Sequence, residues 1–175
     1  MTNPLAQLRV LVTDNDPHML SVMHSILHGI GVRNITSART SMEALLELKR
    51  QPFDIVLLTD DLAPHGGIRI TRKLRESDLT PNQRTPVILI AGKAELSFIE
   101  KARDAGVTEF IRKPVTGKIV QLRLQSILKN PREFIAEEVY AGPDRRRRLV
   151  DTPIENEKRG TAAAENQPQA KTGTS

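Results

Sequence analysis

A chain of 175 residues without cysteine has room for one domain and a tail, and it excludes a disulfide framework, a thiolate metal site and a thiol nucleophile. No charged leader precedes a long apolar run and no apolar stretch approaches ~18 residues, so neither a signal peptide nor a membrane span is expected, and a cytoplasmic location fits. The formal charge of +5 resides in residues 1–130, while residues 131–175 carry eight basic and eight acidic groups, a balance that argues against a general polycationic arm for nucleic acid.

Apolar runs alternate with helical patterns five times. "LRVLVT" (8–13) is a short β-branched run that ends at Asp14, Asn15 and Asp16. Pro17 then opens a helix in which Met19, Met23, Ile26, Leu27 and Ile30 recur at helical spacing, closed by Gly29 and Gly31. "RNITSA" (33–38) reads as a second strand, and Thr40 with Glu43 forms a capping box before Ala44, Leu45 and Leu48. Pro52 ends that helix. "DIVLLT" (54–59) is uninterrupted and apolar, the pattern of a central parallel strand covered on both faces. A helix follows over 67–76, then the buried strand "PVILIA" (86–91), then a helix over 95–105 with Gly106 just past its end. "TEFI" (108–111) is the fifth strand. A last helix carries Ile119, Val120, Leu124, Ile127 and Leu128 up to Pro131.

This alternation predicts the α/β class, a five-stranded parallel sheet with helices on both faces, over residues 5–130. Residues 131–149 form an arginine-rich extension. Residues 150–175 are small and polar and are expected to be disordered. The remainder after 130 is too short and polar for a DNA-binding output domain, and no helix-turn-helix pattern occurs in it.

Ligand chemistry in such sheets gathers at the carboxyl ends of the strands. Those ends read "TDNDP", "TDDLAP", "AGK" and "IRKP". Carboxylates from two strand ends can share a hard cation such as Mg²⁺. A carboxylate beside that cation can accept a phosphoryl group while a lysine compensates the charge. His18, His24, His28 and His65 show no metal-ligand spacing with carboxylates and are read as surface or packing residues.

On "VLVTDNDPHM", "FDIVLLTDDLAPHGG", "PVILIAGKAE" and "DAGVTEFIRKP" the chain resembles the receiver domains of bacterial two-component response regulators, the CheY-like, flavodoxin-like fold. The resemblance implies a non-enzymatic signalling module. It implies a metal site at Asp14, Asn15 and Asp60, a phospho-acceptor at Asp60, and switch positions at Ala91, Phe110 and Lys113. Three departures accompany it. Asn15 stands where a metal-binding carboxylate is expected, and Ala91 stands where a hydroxyl is expected. The loop after "DIVLLT" is out of register: counting forward puts Thr59 at the acceptor position, whereas counting back from Pro64 gives Asp60, with Asp61 next to it. Asp60 is preferred because a carboxylate forms an acyl phosphate. The phosphoryl reading makes the chain a substrate of a histidine kinase.

The extension reads "YAGPDRRRR". Guanidinium forks bind phosphate bidentately and match the O6/N7 edge of guanine. Their planes stack on bases, as does Tyr140, and Asp144 can accept from guanine N–H groups. A ligand with two guanines and two phosphates, cyclic di-GMP, would use Arg145, Arg146, Arg147 and Arg148 together. The arrangement is similar to the Cle group of CheY-like cyclic-di-GMP effectors. That resemblance implies a segment that orders on ligand binding and a protein target at the flagellar motor switch.

Overall fold

The computed structural model describes residues 3–78, 80–92, 94–137 and 140–144. Lys93, the arginines 145–148 and the expected tail 150–175 lie outside them.

Unbroken apolar runs become strands buried on both sides. β3 (Ile55–Thr59) and β4 (Val87–Ala91) are buried along their whole length. With β1 (Arg9–Thr13), β2 (Asn34–Ala38) and β5 (Glu109–Arg112) they form a parallel sheet in the order β2-β1-β3-β4-β5. Five helices fill the connections: α1 (Pro17–Gly29), α2 (Ser41–Arg50), α3 (Gly66–Glu76), α4 (Leu96–Asp104) and α5 (Gly117–Lys129). Strand alternation divides the core in two. Val10, Val12, Ile55, Leu57, Ile88, Ile90 and Ile111 face α1 and α5. Leu11, Val56, Leu58, Val87 and Leu89 face α2, α3 and α4. Each fully buried aliphatic side chain contributes on the order of 1.5–3 kcal/mol.

The helix starts follow local chemistry. The Asp16 carboxylate accepts from the His18 N–H at 2.8 Å, with Pro17 in the first turn. The Thr40 hydroxyl accepts from the Glu43 N–H at 3.2 Å, and the Glu43 carboxylate accepts in return from the Arg39 N–H at 2.7 Å. That is the expected capping box with its return bond reaching one residue further back. Among the described residues no helix is long and apolar enough to cross a membrane.

The region after α5 carries more order than composition predicts. β6 (Phe134–Glu137) and β7 (Tyr140–Pro143) pair antiparallel, Phe134 opposite Pro143. A two-stranded unit of this size is marginal alone. It is held against the five-stranded domain by a side chain that the periodicity does not single out. Arg75, in the last turn of α3, is 2% exposed. Its Nε and Nη2 donate to the Gly106 carbonyl at 3.2 and 3.0 Å, and its Nη1 donates to the Gln83 carbonyl at 2.6 Å. Its guanidinium lies 5.9 Å from the Phe134 ring centre, and that of Arg84 lies 5.4 Å away. Burial pushes the Arg75 pKa down to about 10, with nearby Tyr140 acting the other way, so the group stays charged at neutral pH.

Two glycines permit this docking. A Cβ on Gly142 would meet the Gly106 Cα at 2.8 Å. Gly106 itself has φ +90° and would drive a Cβ to within 2.9 Å of the Ala141 carbonyl oxygen. On the other side Glu109, 9% exposed, binds both Arg123 of α5 and Arg132 of the connection, at 3.4 and 3.3 Å.

Replacing Arg75 by Met should therefore orphan the Gly106 and Gln83 carbonyls and cost roughly 2–4 kcal/mol. Hydrogen exchange should rise in 134–143 while β3 and β4 remain the slowest segments. Unchanged protection of the hairpin in the variant would show that the guanidinium does not hold it.

Candidate functional site

The strand order reverses between β1 and β3, which opens a cleft at the carboxyl edge of the sheet. Alternation decides which strand-end residues enter it. Val10 pairs with Ile55 and Val12 with Leu57, so Asp14 and Thr59 continue on the same side. On β5 Ile111 lies on that side, and two residues later Lys113 does too. Asp60 and Ala91 fall on the opposite side, with Leu58 and Leu89.

The cleft thus brings together Asp14, Thr59 and Lys113. Asp14 is 6% exposed, and its Oδ1 accepts from the Asp16 N–H at 2.9 Å. Thr59 is the last residue of β3 and 2% exposed, and its hydroxyl has no hydrogen-bond partner among the described residues. Its backbone N–H donates to the Thr13 hydroxyl at 3.3 Å, and that hydroxyl donates to the Leu57 carbonyl, also at 3.3 Å. Lys113 Nζ lies 3.8 Å from the Asp61 carboxylate.

Asp60 lies elsewhere. Its N–H donates to the Ile90 carbonyl at 3.0 Å, which continues the β3–β4 ladder for one residue. The residue borders an open groove of about 550 Å³ with His65, Ile68, Arg69 and Arg72 along α3. The structure therefore follows the forward count: Thr59 takes the place beside Asp14 that the count from Pro64 assigns to Asp60. The extra residue is absorbed by the loop before α3.

Asn15 holds that loop. Its Nδ2 donates to the Asp61 carbonyl at 2.7 Å and its Oδ1 accepts from the Ala63 N–H at 3.0 Å. Ala63 in turn accepts from the Ser41 N–H at 2.8 Å. Both ends of the Asn15 amide are thereby spent on positioning the chain. The donor set fits magnesium poorly. Asp14 gives one carboxylate, Thr59 none, and Asp61 faces Lys113. Among the described residues no group of three acidic, histidine or cysteine side chains could hold a metal ion.

Ala91 is fully buried at the end of β4, and its carbonyl accepts from the Lys113 N–H at 2.9 Å. Phe110 is half-buried and packs edge-on against Phe98 of α4, ring centres 6.2 Å apart. At the opposite edge of the sheet Tyr140 donates its hydroxyl to the Pro143 carbonyl at 2.8 Å. The Asp144 N–H donates to the Glu133 carbonyl at 2.7 Å. The hairpin therefore ends one peptide bond before Arg145, a strand's length away from the cleft.

A family model described as the response regulator receiver domain matches residues 10–125. The chain is 26% identical over 122 residues to the chemotaxis protein CheY-3 of Vibrio cholerae, across 70% of this chain and 92% of that one. It is 25% identical over 126 residues to the transcriptional regulatory protein ZraR of Klebsiella oxytoca, across 72% of this chain and 27% of that protein. Among solved structures, it is similar to the receiver domain of the sensor histidine kinase PA1611 from Pseudomonas aeruginosa. That structure holds a magnesium ion in its active site cleft; the TM-score is 0.60 at 24% identity, over 67% of this chain and 94% of that one. Vibrio cholerae CheY4 gives a TM-score of 0.63 at 18% identity, over 69% and 98%. At these identities the solved structures speak to the fold alone.

Thr59→Asp should add the missing carboxylate and tighten Mg²⁺ binding roughly tenfold or more. The unaltered chain should show almost no change at Phe110 when beryllofluoride and Mg²⁺ are added. Both are read by NMR titration. A stoichiometric response of the unaltered chain, abolished by Asp60→Asn, would contradict this account of the cleft.

Proposed function

The chain belongs to the response regulator receiver domain family, and we propose that within it this protein is a CheY-like signalling module whose input is cyclic di-GMP rather than a phosphoryl group. One observation carries the reading: a threonine hydroxyl, not a carboxylate, ends β3 inside the cleft. With Asn15 committed to the loop and Ala91 lacking a hydroxyl, the cleft is poorly equipped to form an acyl phosphate and to report it. Input then has to enter by another site.

Arg145 to Arg148 supply the chemistry for it. Four guanidinium groups match two phosphates and two guanine edges. In the sequence they follow directly on a hairpin held by Arg75, whose preceding connection Glu109 binds through Arg132. Tyr140, half exposed, adds a stacking surface, and Asp144 adds an acceptor for guanine N–H groups.

Output runs through protein contact rather than turnover or DNA binding. Leu96 and Ile99 of α4 and Leu122 of α5 are exposed apolar side chains flanking the strand that carries Phe110. This face suits a protein target, and the resemblance to the Cle group makes the flagellar motor switch the partner of choice.

A second reading is a single-domain regulator phosphorylated on Asp60 by a histidine kinase. The Lys113–Asp61 pair at 3.8 Å favours the variant of this reading in which Asp61, the neighbouring alternative, is the acceptor.

Calorimetric titration with cyclic di-GMP, with GTP as control, separates the two. Arg146→Ala should weaken binding roughly five- to a hundred-fold, because a charge-assisted bond or base contact contributes about 1–3 kcal/mol. Arg146→Lys should weaken it comparably, since lysine keeps the charge but loses the planar fork. Absence of binding by the unaltered chain, or indifference to lysine and to the identity of the nucleotide, would overturn the proposal.

A further inference from the structure

Met42 and Leu46 of α2 are 62% and 65% exposed. They border a groove of about 440 Å³ between α2 and α3, with Leu45 and Leu74 beneath and exposed Lys49 and Lys73 at the rim. Among the described residues no carboxylate lines it. Lys73 also borders the neighbouring groove along α3, where exposed Arg69 and Arg72 add positive charge beside Asp60 and Glu76. This patch is apolar at its centre and basic at its rim.

The start of α4 carries the opposite combination. Leu96 and Ile99 are 73% and 37% exposed, and their spacing puts them on one side of the first turn. Exposed Glu95 and Glu100 flank them. Glu95 is the N-cap residue, yet its side chain makes no capping hydrogen bond. Arg103, further along the helix, is paired with Asp104 at 3.6 Å. Among the described residues no ion pair engages Glu95, Glu100, Lys49 or Lys73.

We propose that the first turns of α4 from a second copy of this chain dock in the α2–α3 groove. Leu96 and Ile99 then cover Leu74 between Met42 and Leu46, while Glu95 and Glu100 meet Lys49 and Lys73. The apolar centres match, and each free charge at one rim finds its opposite at the other. The contact requires a second molecule, because α4 is fixed to its own sheet through Ala102 and Phe98. The two patches are different surfaces, so the contact is heterologous, and each copy can offer one patch while using the other. A contact of a few side chains falls well below the ~1,200 Å² of a stable complex, so the association is transient and rises with concentration. It also covers Leu96 and Ile99, so a docked α4 is withheld from any other protein target.

The lack of cysteine makes the test direct. A full-length Ser97→Cys chain carrying a nitroxide and no isotope is mixed with an unlabelled-cysteine-free chain enriched at its methionine methyls. At ~0.5 mM protein, a concentration suited to weak contacts, the Met42 methyl should broaden and the Met19 methyl on α1 should not. Glu95→Lys with Glu100→Lys in the nitroxide chain should cut the broadening at least about threefold, and so should Lys49→Glu with Lys73→Glu in the enriched chain. Combining the two reversed chains should restore it, which a general loss of solubility or folding would not do. A Met42 methyl that stays sharp in the mixture would overturn the proposal. So would equal broadening at Met19, or broadening indifferent to the charge reversals.

Discussion

Burial of β3 and β4 on both faces is the constraint on which the site depends. A strand covered on both sides cannot slip by one residue without exchanging its two sets of core side chains. Ile55 and Leu57 belong to the α1/α5 core, and Val56 and Leu58 to the α2–α4 core. That assignment continues past the core to the strand end and sends Thr59 into the cleft. The chain then has one more residue to accommodate before Pro64 than a strand ending in an acceptor carboxylate would need. The extra length is taken up in the loop, where Asn15 ties down the Asp61 carbonyl and the Ala63 N–H. The Asn15 amide thus supports the same loop that the extra residue lengthens.

The second fixed point is the Arg75 guanidinium. A buried cation is costly unless its hydrogen-bonding capacity is used. Here it is directed at the carbonyls of two loops and the face of Phe134. The result joins the end of α3, the connection before β4, the connection before β5 and the hairpin into one unit. Glu109 does the same on the other flank through Arg123 and Arg132. Residue 109 adjoins Phe110, so the anchor of the extension and the aromatic residue on the α4–β5–α5 face are neighbours on one strand.

Much of this was legible in the residues. Apolar runs, Pro17, the Thr40–Glu43 pair and Gly106 specify elements by local physics, and the observed strands and helices fall where those signals put them. The convergence of strand ends follows from the topology. The acceptor position did not resolve, because counting from Pro64 passes through a loop whose length no local rule fixes. Counting along the buried strand does not have that weakness. The hairpin escaped because strands of four residues show too little alternation to stand out from a charged surrounding. Its stability comes from Arg75, far away in sequence. The available signal was weak: Arg75 lies four residues after Thr71, on the buried stripe of α3, where an arginine has to find partners.

Everything rests on which side of the sheet the strand-end carboxylates occupy. Chemical trapping reads this most directly. After incubation with a phosphoryl donor and Mg²⁺, borohydride reduction converts an aspartyl phosphate to homoserine, and peptide mass spectrometry locates it. The account predicts no homoserine at position 60 or 61 in the unaltered chain, and homoserine at position 59 once Thr59 is replaced by Asp. Stoichiometric homoserine at position 60 in the unaltered chain would contradict it.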